Sequence, residues 1–431
     1  MYPEHLIWVS ASRKMSAALK KHLCDNCRAN GKKTALQRLI PRGEFRVPVI
    51  VQMEGKNYDQ DLVRMTAGHR DLTFNHHLPL IKSFAATAGL EALKKLDGNQ
   101  AVRRIWLDRP VHTNLDIAVP AVEGNAAWKQ GYSGKGVVVA VVDTGIHPHP
   151  DLVRPTSRIV AFHDLVGGRR VPYDDNGHGT HCAGIIAGNG RSLRGRYRGI
   201  APEAGLVGVK ALDKDGGGLL STVIAGIDWC LAQKDALKIR VISLSLGSPA
   251  TASYRDDPVA IAVGTAWAAG LVVVAAAGND GPAGRTVESP GYSPAVITVG
   301  AEDDHRTIPP DDDTIASFSS RGPTRDGLAK PDVVAPGVGI VSLRTPGSVL
   351  DRNNPRFRVA RYYFSLSGTS MATPMCAGLA ALILEAKPEL TPDQVKGAIT
   401  HSCRDLRFDR PDQGNGLLDA RDAVGTSRVV Y

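Results

Sequence analysis

The chain has 431 residues, 43% hydrophobic and 22% charged, with 45 glycines and 27 prolines. That length supports a large buried core in more than one unit, and the absence of any fixed glycine period or internal repeat excludes collagen-like, low-complexity and solenoid chains. The net charge is +9, and residues 1–114 hold all of the excess, 19 Lys and Arg against 10 Asp and Glu; no nucleic-acid-binding motif accompanies it, so a solvated or docking face is expected rather than a nucleic-acid partner.

In chain order, residues 1–45 are polar and basic, with Met15, Leu19 and Leu23 at helical spacing. The apolar residues before Arg13 and Lys14 are too interrupted for a secretory signal, and no run of 18 apolar residues occurs, so cytoplasmic residence without a membrane span is expected. Phe45–Met53 reads as a strand, Leu78–Phe84 as a second, Ala85–Leu96 as a helix and Val102–Leu107 as a strand, together a small α+β unit over 46–114.

From about residue 118 the rhythm changes to apolar strands alternating with helical segments. Val137–Val142, Leu206–Val209, Val241–Leu246, Leu271–Ala277 and Ala295–Val299 are apolar on both faces, as in a parallel sheet covered on both sides by helices. Helices are predicted at 179–188, 219–233, 256–269, 369–386 and 391–400, the last with Thr391 as N-cap and Pro392 behind it. The expected fold class is therefore α/β over 115–431, behind the smaller unit.

Three segments carry residues suited to hydrolysis. Val142-Asp143-Thr144-Gly145 sets an acid at a strand end, Asn176-Gly177-His178-Gly179-Thr180-His181 sets two imidazoles in a glycine-rich turn, and Ser367-Gly368-Thr369-Ser370 sets a hydroxyl at a helix start. Each alone can be a turn or cap residue. Together they are the types that nucleophilic catalysis needs: a hydroxyl, an imidazole to take its proton, and a carboxylate to orient and charge-balance the imidazole. Spacing alone does not show that they converge.

The longer strings around them resemble the subtilisin family of serine peptidases: AVVDTGIHPHPDL at 140–152, GHGTHCAGIIAG at 177–188 and GTSMATPMCAG at 368–378, in that family's Asp–His–Ser order. The resemblance, which lies toward its bacterial alkaline members without a signal peptide, covers about 120–425. It implies a three-layer sandwich with a mostly parallel sheet and a serine endopeptidase in which Asp143 orients His178, His178 acts as base and then acid, and Ser370 attacks the substrate carbonyl. His181 would pack beneath the site. Asn279, just past a buried strand, would donate with the Ser370 backbone N–H to the oxyanion. Ser243, Leu244, Ser245, Leu246 and Gly247 would pair with extended substrate and wall an apolar pocket for a bulky hydrophobic P1 side chain. Residues 280–294 depart from better-known members around that pocket, as do loops at 302–316, with Asp311, Asp312 and Asp313, and at 349–362.

By the same resemblance, residues 46–114 are similar to an inhibitor-like prodomain, removed by the enzyme itself within 108–118, after a basic extension over 1–45. The expected partners are polypeptide substrates and this prodomain. A narrow processing peptidase and a catalytically silent binding module are the alternatives. No cofactor is required for the chemistry; a structural calcium ion is a possibility without an assignable ligand set. Cys24 and Cys27 lack a second pair for zinc; Cys182 and Cys376 are expected to face the core near the triad, with Cys230 and Cys403 as buried apolar residues. The thiol of Cys182 so close to the triad implies sensitivity to mercurials.

Overall fold

The computed structural model describes residues 7–16, 19–24, 46–54, 71–78, 82–107 and 115–425. The chain divides into two compact units, Met1–Val111 and His112–Tyr431.

In the first unit, β1 (Arg46–Met53), β2 (Leu72–Leu78), β3 (Ser83–Gly89) and β4 (Val102–Leu107) form an antiparallel sheet in the order β2-β3-β1-β4. A helix, Leu90–Gly98, follows β3 and buries Ala92, Leu93 and Leu96. The predicted second strand straddled the β2–β3 junction, and the predicted helix began too early. Ala85–Gly89 belong to β3, an inner strand whose small residues lie between β1 and β2. Two-sided burial there outweighs the helix propensity of alanine. Val9, Met15, Leu19 and Leu23 pack into the same core as Val47, Val49, Phe84 and Ile105, and residues 19–24 are helical. Cys27 and residues 108–114 lie outside the described residues.

The second unit is built on an eight-stranded sheet. Its strands are β5 (Val138–Asp143), β6 (Ile159–Asp164), β7 (Gly205–Lys210), β8 (Ile239–Leu244), β9 (Val272–Ala276), β10 (Ile297–Asp303), β11 (Thr314–Ile315) and β12 (Val333–Pro336). The order is β11-β10-β9-β8-β5-β7-β6, with β12 also on β10; all pairs are parallel except β10–β11. Every residue of β5, β9 and β12 is buried, as expected for strands covered on both faces. The helix Thr369–Ala386 packs on β8, β9, β10 and β12 and against the helix His178–Ala187, while Leu220–Leu237 and Pro258–Ala268 pack on each other and on β8 and β9 respectively. Thr369–Ala386 is apolar and long enough to cross a membrane, but 83% of it is buried inside the protein; it is the core helix. The α/β expectation and its mostly parallel sheet are observed.

The chain runs from β5 to β6 and β7 on one side, then to β8, β9 and β10 on the other. Such a reversal opens a crevice at the carboxyl ends of the strands beside it, where ligands bind in open α/β sheets. Asp143 is the last residue of β5.

Candidate active site

Asp143 is fully buried. Its Oδ1 accepts the Thr144 N–H at 2.7 Å, and Oδ1 and Oδ2 lie 2.8 and 3.0 Å from His178 Nδ1. His178 opens the helix His178–Ala187, and the glycines on either side make the approach possible. Gly177 has φ +108°, a left-handed conformation that disfavours a Cβ. A Cβ on Gly179 would collide with the Gly145 carbonyl and lie 3.1 Å from the Asp143 side chain. Burial pushes the His178 imidazole down, but the Asp143 carboxylate, helped by Cys182, outweighs it and holds the pKa well above the ordinary value of 6.5.

Ser370 is the second residue of the helix Thr369–Ala386, so its N–H is one of the donors that a helix start leaves without an intrahelical acceptor. Its hydroxyl donates to the Ser245 carbonyl at 3.1 Å. Pro374, four residues on, has no N–H to give the Ser370 carbonyl; the Cys182 thiol takes that place at 3.4 Å, and the same sulfur lies 3.9 Å from His178 Nδ1. Cys182 thus touches both His178 and the Ser370 backbone. Burial pushes its thiol pKa up. Among the described residues, the only trio of Asp, Glu, His or Cys side chains with ligand atoms within 4.8 Å of one another is Asp143, His178 and Cys182.

Asn279 follows β9. Its Oδ1 accepts the Thr369 N–H at 2.9 Å and the Thr369 hydroxyl at 3.2 Å, which turns the Nδ2 amide away from Thr369. Ser243 and Leu244 end β8, both buried; Ser243 is paired on both sides, with Val141 and Val274, and has no backbone edge to offer, while Leu244 pairs with Ala275. The usable edge begins at Ser245, and Ser245, Leu246 and Gly247 line a cleft of about 490 Å³ together with His178, Leu212 and Leu220. Leu350 of the Arg-rich 349–362 loop lines it too. That loop is tied down by Asp351, whose carboxylate receives Arg344 and Arg358 at 2.6 and 2.7 Å.

Sequence reasoning passed over two residues here. Asp174 is a buried hub: Oδ1 accepts the Thr144 hydroxyl and the Asn176 and Gly177 N–H groups, and Oδ2 accepts the Thr180 N–H and hydroxyl. It fixes the loop that carries His178 relative to the end of β5. Its only sequence signal was its place four residues before the histidine. The other is Glu288, whose carboxylate lies beside Gly247 and Gly278. His181 points away from the crevice: Nε2 lies 3.1 and 3.0 Å from the Ile340 and Phe364 carbonyls, and burial lowers its pKa to about 3. It stays neutral and structural. Cys230 and Cys376 are buried, whereas Cys403 is partly exposed.

A buried Asp–His pair at a sheet's carboxyl edge, with a serine at a helix start beside it, is the layout of a serine hydrolase, and the family follows from comparison. The chain belongs to the subtilase family: the model described as "Subtilase family" matches residues 134–418. It is a subtilisin-type serine endopeptidase. It is 50% identical over 331 residues to the serine protease AprX of Bacillus subtilis (strain 168), covering 75% of this chain and 74% of that one. Subtilisin DY of Bacillus licheniformis is 35% identical over 313 residues, 72% of this chain and 98% of its own. The thermostable alkaline protease of Halalkalibacterium halodurans is 33% identical over 378 residues, 87% and 89% of the two chains.

Proposed function

We propose that Asp143, His178 and Ser370 form the catalytic triad of an endopeptidase that cleaves unfolded or flexible chains, with broad tolerance at the substrate positions held through their backbone. The observation that carries this reading is the Asp143–His178 contact at 2.8 Å beside the helix start that holds Ser370. In the resting enzyme the Ser370 hydroxyl is parked on the Ser245 carbonyl; rotation about its Cα–Cβ bond presents it to His178 Nε2. His178 removes the proton as the oxygen attacks the substrate carbonyl, and Asp143 stabilises the imidazolium. The tetrahedral oxyanion receives the Asn279 Nδ2 amide and the Ser370 N–H. His178 then protonates the leaving amine, and water hydrolyses the acyl-enzyme by the same sequence.

Residues 245–247, free of the sheet, would pair with extended substrate backbone, which explains broad tolerance. The expectation of a hydrophobic P1 residue rested on this segment alone; Glu288 adds a carboxylate to the same wall. The first unit is read as a prodomain that the second removes in cis, and the division at Val111 and His112 supports a cut near there. Intact-mass analysis of the wild type beside Ser370→Ala tests both parts. The wild type is expected to lose a fragment ending near the unit boundary while the alanine form stays whole. Equal trimming of both would remove the support for autocatalysis, and failure of Ser370 to react with an organophosphonate would sink the triad assignment.

A further inference from the structure

We propose that Glu288 selects the P1 side chain, and that this endopeptidase cleaves after Lys and Arg. The inference rests on the assignment of Ser370 as nucleophile. Two segments flank Ser370: 245–247, through the Ser370 hydroxyl on the Ser245 carbonyl, and 277–279, through Asn279 Oδ1 on the Thr369 N–H. A substrate residue whose carbonyl carbon meets Ser370 and whose oxygen meets Asn279 sends its side chain between these walls. Each wall has a glycine there, and Glu288 occupies the space that the missing side chains leave. A Cβ on Gly247 would collide with Glu288 Oε2, and one on Gly278 would lie 2.6 and 2.7 Å from Glu288 Cγ and Cδ.

Glu288 is held there by its backbone. Its N–H donates to the Ala277 carbonyl at 2.9 Å, and the next residue, Ser289, exchanges hydrogen bonds with Ser248 at 3.0 and 2.9 Å. The segment therefore straps both walls together and fixes the carboxylate at their base. Its surroundings want a cation. Burial and the nearby Asp280 push the Glu288 carboxyl up, with the Asn279 N–H as the opposing hydrogen bond, and among the described residues no Lys or Arg pairs with it. A Lys or Arg side chain lays its apolar stem along the glycine-lined walls and brings its charge to the carboxylate. An aromatic P1 side chain would instead cover a half-buried carboxylate without giving it a donor, which is unfavourable.

The test uses processed wild type and Glu288→Gln, which keeps an acceptor for the Asn279 N–H. Both are titrated with an organophosphonate to count competent Ser370, then assayed on four peptide nitroanilides identical except for Lys, Arg, Phe or Leu at P1. The wild type is expected to show a kcat/KM for Lys and Arg above that for Phe and Leu by about 10- to 100-fold, the range of one charge-assisted hydrogen bond, and Glu288→Gln to lose that preference while Phe and Leu hold or rise. A wild type that prefers Phe or Leu overturns the assignment by itself, even if the variant fails to fold, and so does a variant that falls equally on all four substrates. A chain that neither reacts with the phosphonate nor cleaves any substrate overturns the nucleophile assignment and this one with it, whereas fully titrated enzyme with the wrong P1 order overturns this one alone.

Discussion

Asp143 on β5 and Glu302 on β10 sit at the same carboxyl edge of one sheet, both with no exposed surface, yet their surroundings treat charge in opposite ways. Asp143 is met by the Thr144 N–H and the His178 ring. Neither Glu302 oxygen has a hydrogen-bond partner. Burial pushes Glu302 well above the ordinary carboxyl range, and Asp313, Asp304 and Asp303 add to the shift. Depth alone therefore does not assign a buried acid its state: donors permit an anion, and neighbouring acids enforce a proton. The distinction fits the use proposed for Asp143, since an acid that stabilises an imidazolium has to be charged.

The largest expected effect breaks the first half of that contrast. Asp143→Asn keeps the shape but removes the charge and the tautomer control, and kcat should fall by roughly 10⁴-fold, as when the acid of such a triad is replaced. The rate should also change in its pH dependence. On the proposed triad His178 must be neutral to act as base, so wild-type kcat/KM is expected to rise with pH through a pKa above 6.5; without Asp143 the residual activity should rise at lower pH. Glu302→Gln should leave kcat within about threefold, because that side chain already behaves as an uncharged group. A comparable loss in the two variants would erase the contrast.

Asp332, at the start of β12, sharpens it as a buried acid with cations. Burial disfavours its anion, but Lys330 at 2.6 Å and Lys396 at 3.1 Å hold it below the usual carboxylate range. Burial in turn lowers Lys330 to about 7. Asp332→Ala strands a buried ammonium and the Thr298 N–H that the carboxylate receives, and should cost about 3–5 kcal/mol in urea unfolding of the processed enzyme. A loss under about 1 kcal/mol would show that Lys330 simply gives up its proton.

Much of this was legible beforehand. The three strings around Asp143, His178 and Ser370 point to the subtilase family that the comparison shows, and each encodes a local geometry that the fold contains: strand end, left-handed turn into a helix, and helix start. The helix Thr369–Ala386 and the Thr391 cap with Pro392 behind it were readable for the same reason, and the structure adds the reciprocal Gln394 bond. What was not legible depends on distant partners. Glu288 acquires meaning only against Gly247 and Gly278, which lie on two other segments. Asp313 looked like one of three loop acids, but it is buried while Asp311 and Asp312 are exposed. That Ser243 has backbone neighbours on both sides, and so no edge for a substrate, could not be read from an apolar run.

The smallest effect concerns the proton that the second acid cluster retains. Asp304 is almost fully buried, and burial, with Asp303 nearby, raises its pKa to about 6. A folded pKa above the unfolded value means that the folded state holds its proton more tightly. The resulting stability is fully present below the unfolded pKa of about 3.9 and is lost as pH rises through the folded one. Asp304→Asn removes the titration but keeps the Oδ1 that accepts the Arg306 N–H, so the loop's own hydrogen bond survives. At pH 8 the variant should be more stable than the wild type by about 1–2 kcal/mol, and near pH 4 the two should coincide. Urea midpoints on Ser370→Ala backgrounds, where self-digestion cannot intrude, measure both points. A difference that is the same at pH 4 and pH 8 would mean that the gain comes from the amide's hydrogen bonds and not from the buried charge, and Asp304 would then belong with Asp143 rather than with Glu302.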